Sequence, residues 1–278
     1  SESRLALFAL AVFSTILFIA LFAPWISPTN PYDLGSVDIM NSRLPPGSED
    51  FAGNVYWLGT DGAGRDMLSS IFYGLRVSLG VGAFSGIVAM AIGATIGLAA
   101  AYFGGRLETI IMRIVDIQLS FPSILMALII LAIFGKGVDK TIIALVLVQW
   151  AYYARTARAS ALVEKNKEYV EAAQCLALSD RRIILSHIMP NCLAPMIVVG
   201  TLQTAHAISL EATLSFLGLG LPITEPSLGL LIGNGFEYMY TGDFWISIFP
   251  GVALLITIVS INLVGDQLRD IFNPRLQK

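Results

Sequence analysis

The stretch 169-YVEAAQCLALSDRRIILSHIMPN-191 is polar and helical in pattern, yet it lies between two long hydrophobic runs. Its wider neighbourhood, 154–191, carries six Lys or Arg: Arg155, Arg158, Lys165, Lys167, Arg181 and Arg182. On a helical wheel Tyr169, Ala172, Ala173, Leu176 and Ala177 fall on one face, with Glu168, Glu171 and Gln174 on the other. Ser179 is placed to cap a second short helix from Asp180 to Met189, with Asp180 favoured in its first turn by the helix dipole. Pro190 and Asn191 are expected to end it. The segment thus reads as two short helices joined by a turn at a membrane surface. Small alanines would let another protein approach closely, whereas the basic flanks would equally suit a helix resting on anionic headgroups. Physical chemistry alone leaves both readings open.

Working outward, 55% of the 278 residues are hydrophobic and only 13% are charged, with a mean hydropathy of +0.73. Soluble domains carry about a quarter charged residues, so the balance points to a membrane protein. The net charge of −3 excludes a strongly basic nucleic-acid binder. Cys175 and Cys192 are not in a CxxC arrangement, which argues against a disulfide framework or a metal site and for two free thiols.

About 20 apolar residues cross a hydrocarbon core, and six stretches qualify: Leu5–Ala23, Val77–Tyr102, Thr109–Phe134, Thr141–Ala157, Leu193–Leu214 and Phe244–Val264. The chain is therefore expected to be an all-α membrane protein of about six transmembrane helices. The predicted parts are an N-terminal anchor helix (1–23), an outer loop with short helices (24–76), and a five-helix core (77–278) containing the segment 158–191. The chain opens on Ser1 rather than Met, so the sequence is expected to be trimmed or to begin late in a longer one. The first run is read as a retained anchor, because no small-residue cleavage site precedes Pro24 and Trp25. Trp25, Tyr102, Phe103, Trp245 and Phe249 stand near span ends, where aromatic belts are expected.

Counting Lys and Arg sets the orientation. The N-terminus, 103–113, 154–191 and the tail from Gly265 hold twelve, and the opposite segments hold five. Both termini and the opening stretch are thereby placed in the cytoplasm.

Other features are weighed in the same way. Gly93 and Gly97 form a GxxxG that permits close helix packing. Pro122 is expected to kink the third span. Asp116 with Arg113 reads as an ion pair at a span end. Glu211 is an acid late in the fifth span, where insertion costs about 3 kcal/mol, so it is a candidate for pore or gating function, with Phe216 and Leu217 beside it. The stretch 216–243 is expected to fold as an outward excursion. No GxxxxGK[ST] occurs, and His187 and His206 join no catalytic constellation, so neither ATP binding nor catalysis is expected of this chain.

The segment resembles the "EAA" loop of ABC importer permeases, a Glu-Ala-Ala followed by a Gly and then an Ile-x-Leu-Pro or a near variant. Glu171, Ala172 and Ala173 match, as do Ile188 and Pro190 around Met189, while Ala177 stands where the pattern has Gly. Alanine takes positive φ only at a cost, so the turn is expected to be more helical here. The stretches 57-WLGTDGAGRD-66, 210-LEATLSFLGLGLP-222 and 262-NLVGDQLRDIFNPRL-276 are similar to the C-type permease subunits of the dipeptide, oligopeptide and nickel importers.

That resemblance implies a type I ABC importer permease fold in a bacterial inner membrane. It implies that Tyr169, Glu171, Ala172, Ala173, Leu176, Ala177 and Pro190 couple the chain to ATPases. The implied partners are a second homologous permease, two ATP-binding subunits holding ATP and Mg, and a periplasmic substrate-binding protein, all surrounded by membrane lipid. This chain itself would hold no cofactor or metal. Di- or oligopeptides are the implied cargo; nickel, glutathione or an opine-like conjugate is the alternative within the family. A secondary transporter is the alternative of another class, weakened by the lack of an inverted repeat.

Overall fold

The computed structural model describes residues 2–33, 35, 37–50, 53–222 and 224–272. Arg275, Lys278 and the end of the 262–276 stretch lie outside the described residues, as do the side chains of the first three. Ten α-helices are described: α1 Glu2–Ile26, α2 Met67–Phe103, α3 Gly105–Ser120, α4 Ser123–Phe134 and α5 Val138–Lys165, followed by α6 Glu168–Cys175, α7 Asp180–Ile183, α8 Met189–Phe216, α9 Leu228–Phe236 and α10 Trp245–Phe272. A two-residue hairpin, β1 Ser48–Glu49 with β2 Val55–Tyr56, sits in the first loop.

By length and apolarity α1, α2, α10 and the run Asp180–Phe216 can each cross a membrane, and α3 with α4, taken as one span broken by 93°, can form a fifth crossing. That break is far sharper than the kink expected in a single third span. Pro122 supplies no N–H and drives Phe121 out of the helical region, to φ −91° and ψ 141°. The charged residues of α5 keep it out of the apolar class, but geometry makes it the sixth crossing. Near its start Ile142 and Val138 share a cavity wall with Gly80, and at its end Lys165 reaches the last carbonyls of α2. It therefore runs beside α2 from the level of Gly80 to the end of that helix. Burial between α2, α3 and α8 stands in for the apolarity that lipid would demand.

The α2–α5 seam is built from the predicted glycines. A Cβ on Gly93 would lie 2.4 Å from the Trp150 carbonyl oxygen, and one on Gly97 2.3 Å from that of Ala154. The two helices thus meet backbone to backbone, and rising along one means rising along the other, so they run parallel. Their C-terminal ends are joined by Lys165, whose Nζ donates to the Ala101 and Tyr102 carbonyls at 3.2 and 2.6 Å. A cation there also complements the negative end of the α2 dipole.

α2 begins ten residues before the predicted span, running from the turn at 57–66 into the membrane, because Asp66 caps it by accepting from the Ser69 N–H at 2.9 Å. The turn before it, 57–66, is a packed knot. Asp61 accepts from Ala63 N, Arg65 N and Arg65 Nε, and Thr60 bridges Asn41 and Leu44. Trp245 donates its indole N–H to the Thr60 carbonyl at 3.2 Å. This corrects the belt assignment: Trp245 is buried inside the protein, whereas Trp25 and Phe103 are exposed. The stretch 216–243 does fold, as α9 laid against α8 and α10 through Gly229, Gly233 and Gly235.

Candidate functional site

Helix α6 turns Val170 and Ala173 inward, onto a cluster with Leu98 and Ala101 of α2, Ala161 of α5 and Ile183 of α7. Tyr169, Glu171, Ala172, Leu176 and Ala177 remain outside, Leu176 at 75% exposure. The wheel grouped Ala173 with Tyr169, Ala172, Leu176 and Ala177 and set Glu171 opposite; the structure buries Ala173 and leaves Glu171 exposed beside the others, so the outer surface carries an acid, an aromatic, alanine and leucine together.

The turn after α6 overturns one expectation. Ala177 is not helical: its φ is +55°. Leu178 N–H donates to the Ala173 carbonyl and Ala177 N–H to that of Gln174, the paired bonds of a Schellman C-cap. The same motif closes α8, where Gly218 holds the left-handed position at φ +72°. At 177 the cap forms with alanine despite the Cβ cost, because Leu178 gains a place beside the inward cluster.

A second expectation also fails. The helix after Ser179 does not stop at Pro190; α7 passes through a π-helical turn, Ile184–Ile188, directly into α8. A widened turn accommodates a residue that lacks an N–H, and Pro190 falls at the start of α8, where its ring is tolerated. Ser179 occupies the cap position without a side-chain cap bond.

Tyr169 is the hub of this end. Its hydroxyl donates to Glu164 Oε2 at 2.5 Å and accepts from Asn191 Nδ2 at 3.1 Å, and Asn191 also reaches the His187 carbonyl at 2.8 Å. Desolvation, with the Glu164 carboxylate alongside, pushes the Tyr169 hydroxyl up to about 12. Tyr102 ties α2 to α7 through Asp180 at 2.7 Å. Glu164, Asn191, Tyr102 and Asp180 were missed as a set; no spacing rule joins residues on four elements. Two ion pairs fasten α3 to α5, Glu108 with Arg158 and Asp116 with Arg155. The partner of Asp116 is therefore Arg155 across the helix pair, not Arg113.

At the other end Glu211 is 0% exposed. Ser215 donates to its Oε1 at 2.7 Å and Ser78 to its Oε2 at 3.1 Å, and the Ser227 hydroxyl lies nearby. Ser78 in turn accepts the Leu228 N–H, and Ser227 accepts that of Leu230. A single carboxylate thus knots α2, α8 and the start of α9. Phe216 packs edge-on against Phe236 at 5.6 Å, and Leu217 beside it is exposed.

A broken third crossing, a parallel glycine seam and a capped surface helix between α5 and α8 together describe an ABC-transporter permease. The model of the binding-protein-dependent transport system inner membrane component matches residues 91–278, and that of the N-terminal TM domain of oligopeptide transport permease C matches 1–46. The di/tripeptide transport system permease protein DppC of Pseudomonas aeruginosa is 37% identical over 100% of this chain and 90% of its own. The dipeptide transport system permease protein DppC of Escherichia coli K12 is 39% identical over 95% and 86%. A chain of the inward-facing MetNI methionine ABC transporter superposes with a TM-score of 0.60 at 21% identity, over 74% of this chain and 98% of that one. The chain belongs to the binding-protein-dependent transport system inner membrane component family. It is a transport subunit and an integral protein of the inner membrane.

Proposed function

We propose that this chain forms half of the translocation pathway of an importer for di- and oligopeptides and converts motion of ATPase subunits into opening of that pathway. The observation that carries this reading is the exposed face of α6, held rigid beneath by Val170 and Ala173 and wired by Tyr169 to both α5 and α8. A load applied to Glu171, Ala172 or Leu176 passes to two membrane-crossing helices at once. Two ATP-binding subunits, which would hold ATP and Mg, are the partners that apply it. A second, homologous permease completes the pathway, and a periplasmic binding protein delivers the cargo. The excess of Lys and Arg at the α6 end supports placing that end, and both termini, in the cytoplasm. The dipeptide names of the relatives support the cargo class.

The test is Glu171→Lys in the assembled complex. Peptide-loaded binding protein should no longer stimulate ATP hydrolysis while the chain still inserts and assembles. Undiminished stimulation, or no response to peptide in the unaltered complex, would overturn the reading.

A further inference from the structure

Two cavities near the Asp66 end of the bundle meet at one arginine. The first, about 380 Å³, is an apolar crevice between α1, α2, α8 and α10, with Phe13, Leu17, Leu21, Leu79 and Ala83 on its walls. The second, about 490 Å³, is enclosed by the first loop, α2, the start of α5 and the α8–α9 connection, and it presents Tyr32, Tyr73 and Glu225. Arg76 and Gly80 line both, so the apolar crevice adjoins the polar cavity along one turn of α2.

The polar groups of the second cavity are unspent. Arg76 and Glu225 are exposed, and among the described residues neither side chain makes an ion pair. The Tyr32 hydroxyl is buried without a hydrogen-bond partner among the described residues, within electrostatic reach of Glu225. Its ring stands 5.9 Å from that of Tyr73. A cation site, an anion site and an unfilled hydrogen-bonding group therefore share one cavity whose wall at Arg76 and Gly80 also borders an apolar slot.

We infer that this pair of cavities binds a phospholipid with a primary-amine headgroup. On the orientation proposed above, on which this inference rests, the lipid belongs to the outer leaflet. One acyl chain lies in the crevice, the phosphate meets Arg76, and the ammonium meets Glu225 and the Tyr32 oxygen. Arg76 stands about 15 Å along α2 from its cap, a depth from which a guanidinium reaches headgroups while its stem stays in apolar surroundings. A quaternary amine has no N–H to give to Glu225 or Tyr32, and an anionic headgroup would face the Glu225 carboxylate. Headgroup selectivity is thus built into the site. A zwitterionic peptide offers the same two charges but leaves the crevice unfilled.

The experiment uses the intact complex, stripped of lipid in detergent and titrated with phosphatidylethanolamine, phosphatidylcholine or phosphatidylglycerol under native mass spectrometry. One phosphatidylethanolamine per copy of this chain should be held about tenfold more tightly than phosphatidylcholine, the scale of one charge-assisted hydrogen bond. Glu225→Gln should erase that preference, and Arg76→Gln should weaken binding of all three. Nothing lies within 4 Å of a Cβ built on Gly80, so Gly80→Leu should fill the junction and expel the lipid while the complex stays assembled. Equal affinity for the ethanolamine and choline lipids, equal retention by all variants, or displacement of the lipid by the dipeptide Ala-Ala would overturn the inference. The same samples report peptide-stimulated ATP hydrolysis. Loss of that response with lipid selectivity intact rejects only peptide import, and the reverse rejects only the lipid site.

Discussion

The Tyr169 hydroxyl donates to the Glu164 carboxylate at 2.5 Å, joining the first residues of α6 to the last turn of α5. The same oxygen accepts from Asn191, so one phenol holds the surface helix to the helices on either side of it.

Tyr169→Phe should free this joint without unpacking it, since the ring remains. Losing one hydrogen bond costs about 1 kcal/mol, so amide exchange at 187–191 should accelerate severalfold, and peptide-stimulated ATP hydrolysis should fall while assembly persists. Unchanged exchange would show that the hydroxyl does not restrain the joint.

The raised hydroxyl gives a second readout. Because the folded protein holds this proton more tightly than a free phenol does, its stabilising share is complete below pH 10 and is lost as pH rises towards about 12. A difference titration at the tyrosinate absorbance, wild type minus Tyr169→Phe, should show its midpoint near 12. A midpoint near 10 would contradict the bond to Glu164.

Ala177 occupies a left-handed C-cap in which α8 uses glycine. Ala177→Gly should stabilise residues 168–180 by about 1 kcal/mol, and Ala177→Val should destabilise them by more than that. Protection of these amides from exchange should therefore rank Gly above Ala above Val. Val equal to Ala would mean that the left-handed turn is not retained in the assembled protein.

The glycines divide by surroundings. Gly97→Val drives carbon into the Ala154 carbonyl and should abolish accumulation of the assembled complex. Nothing lies within 4 Å of a Cβ on Gly251, so Gly251→Ala should be tolerated and raise Tm slightly through helix propensity. Immunodetection in membranes and a thermal melt distinguish the two.

Glu211 accepts from two buried serine hydroxyls, so the kind of replacement should matter more than the loss of charge. Glu211→Gln keeps one oxygen acceptor and should be mildly destabilising. Glu211→Leu strands the serine hydroxyls in a dry interior and should cost about 3 kcal/mol or more. Thermal unfolding of the complex should rank wild type, Gln and Leu in that order. Leu more stable than Gln would reject the knot.

Much of this architecture was legible because lipid imposes a simple rule on sequence. α1 and α10 show it plainly, and the Gly93–Gly97 seam follows from spacing. The misses share a cause, which is that local pattern does not report what tertiary contacts impose. Pro122 announced a bend but not its size, which depends on how far Phe121 extends. Pro190 looked like a stop, and the π turn before it made it a start. Alanine at 177 argued for helix, yet the inward pull on Leu178 decided the turn. Ser215 stands one turn from Glu211 and was open to sequence reasoning, but Ser78 was invisible for a different reason, since it lies 133 residues away.

The α2–α5 seam has a mechanical consequence. Two parallel helices in backbone contact, pinned at one end by Lys165, cannot slide or splay separately, so they behave as a single lever arm. At about 1.5 Å per residue, α2 is about 55 Å long. A tilt of about 5° at the foot would swing its far tip by about 5 Å, comparable to one helical turn. The stroke at α6 can therefore be small, provided that the hinge lies elsewhere, at the 93° break and the π turn.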